Sequence, residues 1–301
     1  MFITRNRNIF FTLTGALAAL ALLSIAIFGL QLGIDFTGGV LVEVSYESIR
    51  TSPEVVTDSL RGSGLEEFSL RESGELGYSL RTGELSDEQR DSLAAMFTIG
   101  DNEARVDQLT EIGPIIGAEL RAKALIALAL VLTAILLFVA FAFRKVSKPV
   151  SSWMYGLIAL MTLGFDVLIP VGFYAFLGTI TGASVDVLFV TAVLTVLGYS
   201  VHDTIVVFDR TRENLAINQE RNRREDFAET AGRALNQTLV RSMTTSATTA
   251  LALLALFILG PASTANFALM LLVGIITGTY SSIFLATPLL VAVERKFAKG
   301  K

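Results

Sequence analysis

The chain has 301 residues, 52% of them apolar, with a formal net charge of −4, a single histidine and no cysteine. So apolar a composition is hard to reconcile with a soluble chain of this length. It also excludes disulfides, thiolate metal sites and histidine-rich metal sites, and no G-x-x-x-x-G-K loop gives the chain an ATP site of its own.

The apolar residues gather into runs of about 20 or more, the length that crosses a hydrocarbon core of roughly 30 Å. Spans are expected at Ile9–Leu30, Ala122–Phe143, Trp153–Phe176, Val187–Phe208, Thr244–Leu259 and Phe267–Val293, the fifth being short. The first follows Arg5 and Arg7, but it is too long for a signal-peptide core and no convincing small-x-small cleavage site follows, so it reads as an uncleaved helix. Lys and Arg cluster at Arg5/Arg7, at Arg144, Lys145 and Lys148, along Arg210–Arg241, and at Arg295, Lys296, Lys299 and Lys301. The turns Gly178–Ser184 and Gly260–Thr264 have none. The bias of basic residues toward the cytoplasm then puts both termini and segments 144–152 and 209–240 inside, and exports Gln31–Leu120. Arg121 and Lys123 run against that rule, but they follow a long exported domain, where it is weak.

After the first span comes Gly33-Ile34-Asp35-Phe36-Thr37-Gly38-Gly39. Asp35 and Thr37 suit caps or turns, and paired glycines open backbone geometries closed to other residues, so the segment reads as a hinge. Valines 40, 42 and 44 alternate with Leu41, Glu43 and Ser45 as in a strand to Tyr46. Thr51-Ser52-Pro53-Glu54 starts a helix that stops at Gly62/Gly64. Glu67–Glu72 and Tyr78–Thr82 flank a Ser73-Gly74 turn, Ser86 and Gln89 form a capping box for a helix to about Phe97, and Arg105–Thr110 is a last strand. The order β-α-β-β-α-β is that of a ferredoxin-like sandwich. The expected division is therefore 1–39, the first helix and hinge; 40–119, a small exported α+β domain between helices 1 and 2; and 120–301, helices 2 to 6 of a six-helix bundle. The exported domain has no catalytic set; its scattered acidic residues are a solvated face or a docking surface for a partner or passing polypeptide.

Ionisable residues inside a span are costly and mark function. Three stand out here, Asp166, Asp203 and Arg241. At 1.5 Å per residue Asp166 lies roughly 18 Å from the inner end of its helix. Asp203 is about 25 Å from the outer end of the fourth span and Arg241 roughly 28 Å from that of the fifth, a similar depth. As a pair they would form a minimal proton-driven switch, since protonating the aspartate releases the arginine; a static ion pair, or an Arg241 that reaches the inner interface, is the alternative. Residues 241, 245, 248 and 249 share a hydroxyl-bearing face that lines a hydrated path or eases helix packing. His202 is a second titrating group or a polar neighbour of Asp203.

Four segments together resemble the SecF family of bacterial protein-export membrane subunits, within the resistance-nodulation-division superfamily. They are Gly33–Gly39; Ile112-Gly113-Pro114 with Gly117, Glu119 and Leu120; Gly198–Arg210 continuing through Arg212-Glu213-Asn214; and Gln237-Thr238-Leu239 leading to Arg241 and Thr244-Thr245-Ser246. The resemblance implies that Asp203 and Arg241 are an intramembrane pair used in proton-coupled work, with Asp166 and His202 as further candidates. Asp35, Phe36, Thr37, Gly38 and Gly39 match the family signature. Phe165 stands where the family often has His and His202 where it usually has Asn. The implied partners are SecD, the SecYEG channel, a translocating unfolded polypeptide and membrane lipid, with no nucleic acid. The implied setting is the bacterial inner membrane, with protons as coupling ion and no cofactor. Half of a proton-coupled efflux transporter, or a passive scaffold of the translocase, is the competing reading.

Overall fold

The computed structural model describes residues 3, 6–65, 67–144, 150–223 and 225–299; Arg5, Lys145, Lys148 and Lys301 of the basic clusters lie outside them. The chain forms two compact units, one of residues 1–29, 126–177 and 188–301, the other of 30–125 and 178–187. Each is described by itself.

The smaller unit contains a one-turn helix α2 (Ile34–Thr37), strand β1 (Gly39–Tyr46), α3 (Pro53–Gly62), the hairpin β2 (Phe68–Ser73) and β3 (Gly77–Thr82), short helices α4 (Asp87–Asp91) and α5 (Leu93–Phe97), and β4 (Ala104–Ile112). The strands make one antiparallel sheet in the order β2-β3-β1-β4, with a bulge between Glu43 and Val44. Alternation along β1 sends Val40, Val42, Val44 and Tyr46 to one face, where they pack with Val56 and Leu60 of α3 and with Leu93, Met96 and Phe97 of α5. The Tyr46 hydroxyl meets the Phe97 carbonyl at 2.8 Å, so the core contains no stranded phenol. Ser86 and Gln89 complete the expected capping box. The helix it starts is broken at Ser92, whose hydroxyl donates to the Glu88 carbonyl at 2.7 Å and so competes with the backbone ladder.

Among the described residues six helices are long and apolar enough to cross a membrane. They are α1 (Arg7–Phe28), α6 (Pro114–Ala142), α7 (Ser152–Thr181), α8 (Val187–Glu220), α9 (Phe227–Leu259) and a sixth built from α10 (Ala262–Ser281), a π-helical turn (Ser282–Ala286) and α11 (Thr287–Lys299). In their most apolar windows α7, α8 and the sixth helix are 50 to 61% buried, against 6 to 11% for α1, α6 and α9. The first three are therefore the inner helices.

Two helices run furthest past one end of their apolar runs. Helix α8 continues to Glu220, and α9 begins at Phe227 instead of near Thr244. The reason is a polar hairpin that apolar counting does not detect. Asn218 donates to Thr230 at 3.0 Å, Arg233 to Asn218 at 3.1 Å, and Gln237 accepts from Arg210 and Asn214 at 2.9 and 3.0 Å. Phe227, Ala228 and Ala231 join Phe143, Tyr155, Phe208 and Leu290 in one apolar cluster under this hairpin.

The inner helices approach closely where glycine allows it. A Cβ at Gly274 would fall 2.2 Å from Val196 Cγ2, and one at Gly278 would fall 2.9 Å from Ser200 Cβ. This is the small-xxx-small pattern by which helices pack in lipid, where van der Waals fit replaces the hydrophobic effect. The π turn has a local cause as well. Pro288 has no N–H for the Phe284 carbonyl and its ring crowds it, so the ladder widens over Ser282–Ala286.

Replacing Gly274 by Val should force α8 and α10 apart and cost about 1–3 kcal/mol, as overpacking does. Gly15→Val on α1, where a Cβ meets nothing within 4 Å, is the control. Thermal unfolding of the purified full chain in detergent should show a lower midpoint for the first variant and little change for the second.

Candidate functional site

The inner helices hold two buried carboxyls. Asp166 on α7 is 0% exposed, and its Oδ2 accepts a short hydrogen bond from the Ser200 hydroxyl of α8. Its Oδ1 has no partner among the described residues, and no cation lies within ion-pair distance. Ser281, at the end of α10, flanks the same carboxyl. Pro170, one turn along α7, leaves the Asp166 main-chain carbonyl without its helical donor. The site thus joins three helices at a point where two of them are irregular.

Asp203 lies on the same face of α8 as Ser200, which the spacing of three residues requires. It is 5% exposed, with Oδ2 unpartnered. His202 projects outward, its side chain 62% exposed, with Nδ1 3.8 Å from Asp203 Oδ1. That agrees with a residue one step round the helix from a buried one.

Arg241 is exposed on α9 and forms no ion pair with Asp203 or any other carboxylate among the described residues. The hydroxyl face also differs from the expected one. Thr244, Thr245 and Thr248 are exposed with Arg241, while Ser242 and Ser246 are the buried hydroxyls of the 241–249 stretch. Packing against α8 and α10 decides this. Thr279 donates to Ser246 at 2.6 Å, and the Tyr199 hydroxyl comes within 3.4 Å of it. Ser242, one turn from Ser246, flanks Asp203.

In the smaller unit the signature is tied at both sides. Gly38 and Gly39 have φ of 77° and 120°, and Cβ atoms there would fall 2.7 Å from Pro114 Cα and 2.6 Å from the Thr82 carbonyl oxygen. A Cβ at Gly117 would fall 2.8 Å from the Gly38 nitrogen, so the segment 112–120 owes its glycine to contact with the signature. Ile34 and Phe36 are buried, and the Thr37 hydroxyl donates to the Gly33 carbonyl at 3.1 Å. The Gly33 N–H donates to the Val185 carbonyl at 2.8 Å, the Val185 N–H to the Gln31 carbonyl at 2.7 Å, and Asp35 Oδ2 accepts from the Val187 N–H at 2.9 Å. Asp35 is therefore an N-terminal cap for α8 supplied by a segment about 150 residues away in sequence. Arg71 of β2 adds bonds to the Gly178 carbonyl and to Gln31, each at 3.1 Å.

Sequence reasoning missed Ser200 as a partner, Gly274 and Gly278 as the close approach, and α8 as the helix that Asp35 caps. The four-residue glycine spacing was a visible signal for the second of these; nothing local marks Ser200 or the destination of Asp35.

These features define a multi-pass helical membrane protein that keeps carboxyls inside its bundle and carries a small sheet unit. Residues 92–296 match the model of the "Protein export membrane protein SecD/SecF, C-terminal" family, and residues 23–48 match the "SecD/SecF GG Motif". The protein translocase subunit SecF of Thermobaculum terrenum is 40% identical over 81% of this chain and 78% of its own. The crystal structure of SecDF, a translocon-associated membrane protein from Thermus thermophilus, superposes with a TM-score of 0.84 at 34% identity, covering 98% of this chain and 39% of that one. A SecDF structure in the super-membrane-facing form gives 0.66 at 32% identity, over 100% of this chain and 39% of that one. The chain belongs to the SecD/SecF family of protein-export membrane proteins.

Replacing Asp35 by Ala should uncap α8 at a cost of about 1 kcal/mol, whereas Asp35→Asn retains an acceptor. Hydrogen exchange at the Val187 amide in the full chain should quicken several-fold in the first variant and little in the second.

Proposed function

We propose that this protein is an auxiliary subunit of the Sec translocase that works beside a SecD half to couple the proton-motive force to polypeptide export through the SecYEG channel. The observation that carries this reading is a carboxyl, Asp203, buried in the inner helices of a chain that belongs to this export family. One charge moved through 100 mV is worth roughly 2.3 kcal/mol, enough to bias a conformational equilibrium without ATP on the far side. The bundle is the proton-responsive element, with no cofactor and no ATPase of its own.

The SecDF relatives support the pairing with a sister half, because this chain spans about two fifths of their length. Arg241, exposed on α9, is available to a carboxylate of that sister as well as to Asp203 after rearrangement. The basic clusters support an inner-membrane orientation with both termini cytoplasmic. The sheet unit, with its strand order β2-β3-β1-β4, is then a ferredoxin-like domain on the outer side, between helices 1 and 2, where it meets the unfolded chain. The signature Asp35–Gly39 joins that domain to α6 and α8.

The test is export from inverted membrane vesicles under an imposed proton gradient. Asp203→Asn and Arg241→Met should assemble with the sister subunit and with the channel yet reduce export to the rate seen without a gradient. If the assembled variants export at the normal rate, the subunit is a passive scaffold and the coupling role is wrong.

A further inference from the structure

Beyond the Asp203–Arg241 reading, the buried hydroxyls of the inner helices connect the two carboxyls. Ser200 is hydrogen-bonded to Asp166, and three residues later on the same buried face stands Asp203, beside Thr204. All four residues are at most 5% exposed. Four buried oxygens on or beside these residues have no hydrogen-bond partner among the described residues: Asp166 Oδ1, Asp203 Oδ2, Thr204 Oγ1 and, flanking Asp203, Ser242 Oγ. Buried polar atoms are rarely left unsatisfied, and a group of them on one seam is the environment that takes up internal water. A lone ionised carboxylate at Asp166, with no cation in ion-pair reach among the described residues, is strongly disfavoured in such surroundings, whereas a neutral carboxyl that exchanges its proton with Ser200 is not.

We infer that Asp166 is a second proton-carrying carboxyl, linked to Asp203 by a relay through the Ser200 hydroxyl and one water held by Thr204. In the transfer, the Asp166 carboxyl gives its proton to the Ser200 oxygen while Ser200 passes its own hydroxyl proton to the water. The water in turn gives a proton to the Asp203 carboxylate. Asp166 is left ionised and Asp203 neutral; one proton has moved, and Ser200 and the water are restored. The charged or titratable groups nearest Asp203 are His202, whose side chain projects outward from the same helix, and the exposed Arg241 of α9, which forms no ion pair with it; Ser242 flanks Asp203, while Asp166 is flanked by Ser200 and Ser281. Gly278 brings α10, which carries Ser281, close to α8 at Ser200. Pro170 and the π turn set the helix irregularities beside the carboxyl whose charge changes.

The inference rests on Asp203 being the proton site proposed above, and the experiment separates the two. The full chain, co-purified with its six-helix sister and reconstituted in lipid vesicles, is assayed for proton uptake with a pH-sensitive dye. Asp166→Asn and Ser200→Ala should each lower the flux by at least about tenfold, in the range of lost general acid–base steps. Ser200→Thr, which keeps the hydroxyl, should hold it within about twofold of the parent. The infrared carbonyl band of the protonated Asp166 carboxyl should vanish in Asp166→Asn and shift in Ser200→Ala, a change that looser packing alone does not produce. Normal flux in Ser200→Ala or Asp166→Asn, with flux abolished in Asp203→Asn, overturns the relay and leaves the proposed function standing. Normal flux in Asp203→Asn overturns both. Should Asp166→Asn fail to assemble, Ser200→Ala decides alone, since it retains the carboxyl and removes one oxygen atom.

Discussion

The hydrogen bond from Ser200 to Asp166 is the contact on which the inner bundle is organised. A carboxyl with no exposed surface needs a donor, and this one comes from another helix, with Ser281 of α10 flanking the same group. The same helix packs closely against α10 because Gly278 has no side chain, and Gly274 repeats the condition one turn earlier. In lipid there is no hydrophobic gain from bringing helices together, so shape and buried polar contacts set the arrangement. The same limit accompanies the division into three buried and three peripheral helices: the buried carboxyls Asp166 and Asp203 sit on inner helices, whereas α9 leaves Arg241 and three threonines exposed.

The signature loop obeys a different constraint. Its glycines adopt positive φ, and its neighbours leave no room for a Cβ, so Gly38, Gly39 and Gly117 are one solution to a single close approach. Asp35 then meets the start of α8, where free N–H groups and the helix dipole favour a carboxylate. Helix α8 also bears Ser200 and Asp203 further along. The cap at its first residue and the buried carboxyl Asp203 in its middle are thus carried by one continuous element.

Several elements were legible because their signals are local. The strand at Val40–Tyr46, the capping box at Ser86 and the apolar runs depend on neighbours within a few residues. The break at Ser92 and the early start of α9 were not, because one turns on a hydroxyl choosing a backbone partner and the other on polar contacts with Asn218 and Arg210 across a hairpin. The hydroxyl-rich stretch 242–249 could be read as a face, but which face turns inward was set by Ser246 meeting Thr279.

By itself the sequence determined that six runs are long and apolar enough to cross a membrane, that Asp166, Asp203 and Arg241 fall within or beside those runs, and that Gly33–Gly39 is a special segment. Those follow from transfer free energy, helix rise and backbone sterics, which act residue by residue. Only the tertiary structure decided that Asp166 is joined to Ser200, that Arg241 faces outward without closing on Asp203, and that Asp35 caps a helix far along the chain. Each of those pairs residues distant in sequence, and the crossing of packed helices, rather than any local propensity, fixes which side chains meet.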